Sequence, residues 1–193
     1  ISKGIIDSFF FVSDYADKVL EKYDIKMDSF KGGYVYSISE LTGIYCCTTP
    51  YLLHFSGDAR MNKNSSSWIP DAIELMESRN DILAANPVWN DRYSEAEAES
   101  SFQDDEWYYG VGFSDQCYLI KKQDLDRPVY GYTHPESERY PKYGGNLFEK
   151  RIDSFMRCEE KLRITSKKCT YIHKNIPRHP LKRFVYSLKW KFL

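Results

Sequence analysis

The sequence contains no long hydrophobic run. No apolar stretch approaches the roughly 18–20 residues needed to span a bilayer, and the longest, Ile5 to Val12, is interrupted by Asp7. No secretory signal peptide is visible. The chain begins at Ile1 rather than at methionine, so we expect that some N-terminal sequence has been removed or left out. These observations argue against a membrane-spanning protein.

Cysteines are few and poorly spaced for a metal or disulfide site. The chain has five, an odd number, and Cys46 and Cys47 are adjacent. No C-x-x-C spacing occurs, which disfavours a zinc ribbon or a thioredoxin-type site. Free thiols in a reducing compartment fit this pattern best, so we expect a cytoplasmic protein.

Several familiar catalytic signatures are also missing. The sequence has no phosphate-cradling glycine loop, neither G-x-x-x-x-G-K-[ST] nor G-x-G-x-x-G, and no G-x-S-x-G nucleophile elbow. It has no internal repeat and no low-complexity segment. P-loop nucleotide hydrolases, classical dinucleotide-binding domains and α/β-hydrolases are therefore disfavoured.

What is present is an ordinary globular composition with an uneven distribution of charge. Apolar residues make up 42% and charged residues 28% of 193, which suits one domain, placed at residues 1–175. Residues 161–193 contain ten Lys or Arg and no acidic residue, while the rest carries 17 basic and 28 acidic residues. We therefore separate a basic, aromatic tail at residues 176–193.

The tail has two interpretations. Its mixture of aromatic, aliphatic and basic residues could lie on an anionic membrane surface, or form a helix that packs on the domain with a solvated basic face. Nucleic acid is a further anionic partner, but the acidic body argues against it. The 16 tyrosines are compatible with sugar or nucleobase contacts and equally with ordinary packing.

Hydrophobic periodicity and turn residues predict alternating strands and helices, which indicates an α/β sheet. The predicted strands are Ile5–Val12, Tyr51–Phe55, Asp81–Pro87, Gly112–Lys121 and Cys169–His173. The predicted helices are Asp14–Tyr23, one from Ser37 or Ser39 to about Cys47, 66–78 and Asn146–Glu160. Two polar stretches are predicted as loops: Asp91–Glu106, solvated or mobile, and Asp126–Gly145, long enough to cover a site.

Two acidic residues are candidates for a metal ligand and a general base. Asp58 follows Tyr51–Phe55, read as a buried central strand, and a carboxylate there can hold Mg²⁺ or Mn²⁺. Glu149 follows Gly144-Gly145 in the first turn of a helix, where glycines let a substrate approach and a carboxylate can act as a general base. The alternatives are that Asp58 caps a turn and that Glu149 complements the helix dipole.

Three more polar residues are candidates. His173 ends a short strand and could bind a metal through its neutral imidazole, although a lone His is more often structural. Asp115 and Gln116 lie within an otherwise apolar strand and could bind sugar hydroxyl groups or satisfy buried backbone groups.

Over about residues 35–175 these segments resemble the GT-A glycosyltransferases, especially the inverting family-2-like group that builds bacterial surface polysaccharides. The resemblance lies in a helix leading into a strand and an acidic turn (Thr49–Asp58), a tryptophan-containing helix (Ser67–Ile69) and a strand ending in N-P-x-W (Ala85–Asn90). Three later segments also resemble the family, and they are Phe113–Cys117, Phe148–Arg151 and Tyr171–His173.

The resemblance implies a GT-A-like, Rossmann-like mixed sheet flanked by helices and transfer of a sugar from a nucleotide-sugar to an acceptor hydroxyl, with inversion and metal assistance. It implies a saccharide or lipid-linked saccharide as acceptor and a cytoplasmic site of action at the inner membrane face. The implied roles are metal binding for Asp58 and His173, general base for Glu149, and substrate binding for Ser56, Trp89, Asp115 and Gln116.

The sequence departs from the family in two places. The first position of the family's D-x-D motif is Ser56, which leaves Asp58 as its carboxylate. The predicted strand Ile5–Val12 resembles the family's second strand, so either the first strand is missing or the region between them is shortened. Both departures keep a second interpretation open, a non-catalytic interaction protein on a degenerate glycosyltransferase fold.

Overall fold

A computed structural model describes residues 6–62 and 68–173. The predicted tail, residues 176–193, and the first residues of the predicted helix 66–78 lie outside this part of the chain. The described residues form six α-helices and seven strands. The helices are α1 (Ala16–Lys22), α2 (Tyr34–Cys46), α3 (Ile69–Ser78), α4 (Tyr93–Ala98), α5 (Lys122–Leu125) and α6 (Phe148–Cys158). The strands are β1 (Tyr51–Phe55), β2 (Ala59–Met61), β3 (Ile82–Trp89), β4 (Ser100–Gln103), β5 (Trp107–Gly110), β6 (Cys117–Lys121) and β7 (Leu162–His173).

The seven strands form one mixed sheet, which confirms the predicted α/β class. The strand order is β1-β6-β3-β7-β5-β4, and β2 pairs with β7 outside this path. Strand β7 is antiparallel to both β2 and β5, and β4 is antiparallel to β5. Helices α3 and α4 contact β3. The long strand β7 therefore connects short strands that are far apart in sequence.

The described residues fall into two compact units. One unit contains α1, α2, α5 and α6, and the other contains α3, α4 and most of the sheet. The first unit comprises residues 6–52, 111–113 and 120–162. The second comprises residues 53–62, 68–110, 114–119 and 163–173.

The core of the first unit is built from the apolar faces of its helices. Four side chains with helical spacing in α6 and at the residue before it are buried, as the predicted periodicity required, and they are Leu147, Ile152, Phe155 and Met156. Arg151, 8% exposed, donates to the carbonyl oxygens of Asn146 and Tyr130 and to the hydroxyl of Ser29. A single guanidinium group thus joins three segments of this unit.

The core of the second unit lies on its inner strands. Residues 82–85 of β3 are buried without interruption, as are all four residues of β5. Continuous burial is expected for strands that are covered on both faces. Helix α3, which follows Trp68, contributes Ala72 and Met76 to the same core.

The prediction of a strand at Ile5–Val12 is wrong for residues 6–12, which the structure describes. Residues 6–11 form no regular element, and Val12–Asp14 is a short 3₁₀ helix. The side chains of Phe9, Phe10 and Phe11 are each more than half exposed. Aromatic composition favours a strand only where a neighbouring strand is available, and none of the described strands pairs with this segment. The match to the family's second strand therefore has no support in the described residues.

The predicted loop Asp91–Glu106 is also wrong, because it contains α4 and β4. Strand β4 pairs with β5, and the ring of Phe102 stacks on that of Tyr109 with centroids 4.4 Å apart. The acidic residues conceal this hairpin in the sequence, since charge is typical of solvated loops and also of exposed edge strands. Ser100 donates to the carbonyl oxygen of Glu97 and so connects the end of α4 to β4.

Three other predicted strands exist with different positions or bounds. Strand β6 begins only at Cys117, five residues after Gly112, which has a φ of 140°. Strand β7 begins at Leu162 rather than at Cys169. The sequence hides its first half because two adjacent lysines, Lys167 and Lys168, interrupt the apolar pattern. Strand β1 has the predicted bounds, but it lies at one end of the described strand order and is only half-buried. The prediction of a buried central strand before Asp58 is therefore wrong.

Candidate functional site

Backbone pairing brings Asp58 and His173 together. Strand β2 pairs with β7 in a register that places Ala59 opposite His173, so the residue before Ala59 reaches the histidine side chain. The Nε2 atom of His173 lies 3.0 Å from Oδ1 of Asp58, and the two side chains are 16% and 24% exposed. We call these two residues the Asp58–His173 pair. Both belong to the second unit.

Ser56 orients the carboxylate of Asp58. Its hydroxyl donates to Oδ1 of Asp58 at 3.2 Å, and its backbone N–H donates to the carbonyl oxygen of Gln116 at 2.9 Å. The turn between β1 and β2 closes when the Ala59 N–H donates to the carbonyl oxygen of Ser56, at 2.9 Å. The serine in the first position of the D-x-D pattern therefore supplies a donor to the remaining carboxylate.

Gln116 and Asp115 are engaged by the chain itself. The hydroxyl of Tyr171 donates to the side-chain oxygen of Gln116 at 3.1 Å, and burial raises the pKa of that hydroxyl. Burial lowers the pKa of His54 to about 4, against a smaller opposing effect of a hydrogen bond with the Asp115 backbone. Both predicted substrate-binding residues thus lie next to β1 and β7, and both have structural contacts.

Trp89, the last residue of β3, has an unusual environment. The guanidinium of Arg92 lies 4.2 Å from the centre of its ring, and Glu95 holds that guanidinium by two bonds of 3.0 and 3.1 Å. The indole Nε1 of Trp89 is buried and has no hydrogen-bond partner among the described residues. A buried indole N–H normally finds a partner.

Sequence reasoning missed Asn90, which contacts His173 directly. Its side-chain amide donates to the His173 carbonyl oxygen at 3.0 Å and accepts from the His173 N–H at 3.0 Å. Asn90 and Asp91 adopt positive φ angles of 48° and 59°. The available signal was the Asn-Asp dipeptide after a strand, since these residues tolerate left-handed backbone better than others.

Glu149 lies in the first turn of α6, as predicted, and belongs to the first unit. The N–H of Phe148 donates to the hydroxyl of Ser37 at 3.0 Å, which fixes the start of the helix. Burial, followed by the charges of Asp153 and Glu149, raises the pKa of the Tyr140 hydroxyl to about 12. The carboxylate of Glu149 therefore acts electrostatically on this tyrosine within its own unit.

The glycine pair before α6 does not leave room for a substrate. Gly145 has a φ of 60°, and a Cβ there would clash with the carbonyl oxygen of Ser29. A Cβ on Gly33 would lie 2.6 Å from the carbonyl oxygen of Gly144. The prediction that these glycines admit a ligand is wrong, because the 3₁₀ segment Met27–Gly33 fills the space beside Gly145 and the side chain of Leu147 fills the space beside Gly144.

The predicted covering loop is fastened to α6. Asp153 is fully buried and accepts from Ser137 at 2.6 Å, from Arg139 at 3.0 Å and from Arg157 at 2.9 Å. Arg157 also pairs with Glu136. A buried carboxylate with this many donors holds the 3₁₀ segment Pro135–Arg139 of the loop in place, which argues against free opening of the loop.

The Asp58–His173 pair fits a divalent cation by its donor set. A carboxylate with an imidazole favours a transition-metal ion such as Mn²⁺ over Mg²⁺. The separation of 3.0 Å between Nε2 and Oδ1 is suitable, since neighbouring ligands of an octahedral ion with bonds of about 2.1 Å are about 3 Å apart. Within residues 6–62 and 68–173, no group of three or more His, Cys, Asp or Glu side chains is placed to hold a metal.

Within the described residues, the fold and these contacts define an α/β protein with a carboxylate–imidazole pair at His173, the last described residue of β7. Comparison with protein-family models gives no match, and comparison with curated protein sequences gives no significant match. Among the described helices, none has the length and apolar character required to cross a membrane.

Proposed function

We propose that this chain is a GT-A-like glycosyltransferase that transfers a sugar from a nucleotide-sugar to an acceptor hydroxyl group. The observation that carries the proposal is the Asp58–His173 pair, whose Nε2 and Oδ1 atoms lie 3.0 Å apart in the second unit. Two residues assigned to one metal from separate segments of the sequence converge through the β2–β7 register.

In this proposal the Asp58–His173 pair holds a divalent cation, which would stabilise the negative charge that develops on the departing nucleotide diphosphate. Ser56 keeps the Asp58 carboxylate in position by its 3.2 Å hydrogen bond. Trp89 is kept as a substrate-binding residue on the family resemblance alone, because its indole Nε1 is buried. Gln116 is held by Tyr171 and would direct its remaining hydrogen-bonding capacity to a sugar hydroxyl.

Glu149 is the proposed general base for the acceptor hydroxyl, and this role rests on the family resemblance and on its place in the first turn of α6. Replacement by glutamine keeps the size of the side chain and removes its basicity. We expect Glu149→Gln to abolish transfer while leaving donor binding unchanged. Unchanged transfer would assign Glu149 to the helix dipole alone.

The donor site is tested by a thermal-shift screen of nucleoside diphosphates and nucleotide-sugars with and without Mn²⁺. A ligand that binds the folded chain raises its apparent stability by mass action, by about 2.7 kcal/mol at a concentration of 100 times Kd. We expect one nucleotide to raise the midpoint only with Mn²⁺, and Asp58→Asn to remove this shift. Asp105→Asn, which changes an exposed carboxylate of the same unit, is the matched control.

Other outcomes would revise the proposal in defined ways. No shift with any nucleotide would contradict it and favour the non-catalytic interaction protein. A shift that survives in Asp58→Asn would place the donor elsewhere in the molecule. Binding that depends on Asp58 without any transfer would support the donor site and contradict the enzymatic activity.

A further inference from the structure

We infer that Asn90 is the positioning residue of the Asp58–His173 pair. The metal-binding role of the pair comes from the proposed function, on which this inference rests. The positioning role of Asn90 comes from its hydrogen bonds to His173. No assignment drawn from the sequence gave Asn90 a role.

The side-chain contacts of Asn90 are directed at one residue, His173. Its amide group forms two hydrogen bonds of 3.0 Å with the backbone of His173, donating to the carbonyl oxygen and accepting from the N–H. Its own backbone N–H donates to the carbonyl oxygen of Tyr171 at 2.8 Å. A side chain that satisfies both backbone groups of one residue replaces a neighbouring strand at that point of the sheet.

This arrangement requires an unusual backbone. Asn90 and Asp91 both have positive φ angles, which cost free energy for residues other than glycine. The hydroxyl of Thr170 helps to hold the turn, since it accepts from the Asp91 N–H at 2.9 Å and donates to the Val88 carbonyl oxygen at 2.9 Å. Consecutive left-handed residues that are supported in this way place the Asn90 amide opposite His173.

The effect of Asn90 passes to the pair through the sheet. His173 is fixed from one side by Asn90 and is opposite Ala59 in the register of β2. Asp58 immediately precedes Ala59 and is oriented by Ser56. If the backbone of His173 moves, its Nε2 atom leaves the position 3.0 Å from Asp58 Oδ1, and the two donors no longer converge.

The test replaces Asn90 without straining the turn. Asn90→Gly removes the amide, and glycine adopts a positive φ at no steric cost. Asp91→Gly is the matched control, because it relieves the same backbone strain one residue later and leaves the two bonds to His173 intact. Mn²⁺ binding is measured by titration with electron paramagnetic resonance, on the wild type and both variants, together with Asp58→Asn and the unfolding midpoint of each.

We expect Asn90→Gly to weaken Mn²⁺ binding by about tenfold or more, as is typical for residues that orient metal ligands, while Asp91→Gly binds like the wild type. Equal affinity in Asn90→Gly and the wild type, with affinity lost in Asp58→Asn, would overturn the inference and leave the proposed function intact. Equal weakening in both glycine variants would also overturn it, because the cause would then be the turn. Absence of Mn²⁺ binding by the wild type would contradict the proposed metal site and remove the basis of the inference.

Discussion

At the residue scale, burial keeps the imidazole of His54 neutral. The ring is stacked on Tyr118 with centroids 4.7 Å apart, and burial lowers its pKa from the usual 6.5 to about 4. Between these two values the unfolded chain takes up a proton that the folded chain does not. The free energy of unfolding must therefore fall as the pH decreases from 6.5 towards 4, and this contribution levels off below 4.

We expect His54→Phe to reduce this pH dependence. Phenylalanine preserves the stacked ring and cannot be protonated, so the variant loses less stability than the wild type as the pH falls. Urea unfolding at pH 6.5, 5.5 and 4.5 should show the difference between the two proteins changing by about 1–2 kcal/mol. Parallel curves for the two proteins would mean that His54 takes up a proton in the folded chain as readily as in the unfolded chain.

At the element scale, the packing of two segments that contain Gly33 and Gly145 fixes the start of α6. The 3₁₀ segment Met27–Gly33 packs against residues 142–147, and the Asn146 N–H donates to the Ser29 carbonyl oxygen at 2.8 Å. A Cβ at Gly33 or Gly145 has no space, whereas a Cβ at Gly43 in α2 would meet no atom within 4 Å. These three positions make a matched set for substitution.

We expect Gly33→Ala and Gly145→Ala each to destabilise the fold by about 2 kcal/mol or more, through overpacking and, at Gly145, backbone strain. Gly43→Ala should stabilise it by about 0.5–1 kcal/mol, because alanine is the better residue within a helix. Chemical unfolding of the three variants measures these differences. Neutral substitution at Gly33 and Gly145 would mean that the two segments are not in contact in solution.

The elements that could be predicted are those with a clear local pattern. Helices α1, α2, α3 and α6 follow from apolar residues at helical spacing, and β1 and β3 from short apolar runs between turns. The hairpin of β4 and β5 could not be predicted, because Trp107–Gly110 is too short to show alternation and its partner is polar. Strand β7 was underestimated because Lys167 and Lys168 interrupt its apolar residues.

At the scale of the whole molecule, the α/β class was predictable from the alternation of elements, whereas the strand order was not. The sequence cannot indicate that β1 stands at one end of the described order, because pairing between distant strands leaves no local pattern. For the same reason Asp58 and His173 were separate candidates until the β2–β7 register placed them together. Asn90 was missed because its role depends on a turn conformation that has only a weak sequence signal.

The cation site proposed at the Asp58–His173 pair can be tested by mapping Mn²⁺ on the protein with nuclear magnetic resonance. Amide resonances near a bound paramagnetic ion broaden, so a titration of the ¹⁵N-labelled chain locates the site directly. We expect broadening to centre on Asp58, Ala59 and His173 and to be lost in Asp58→Asn but not in Asp105→Asn. Broadening centred on the acidic residues 104–106, or none at all, would contradict this proposal.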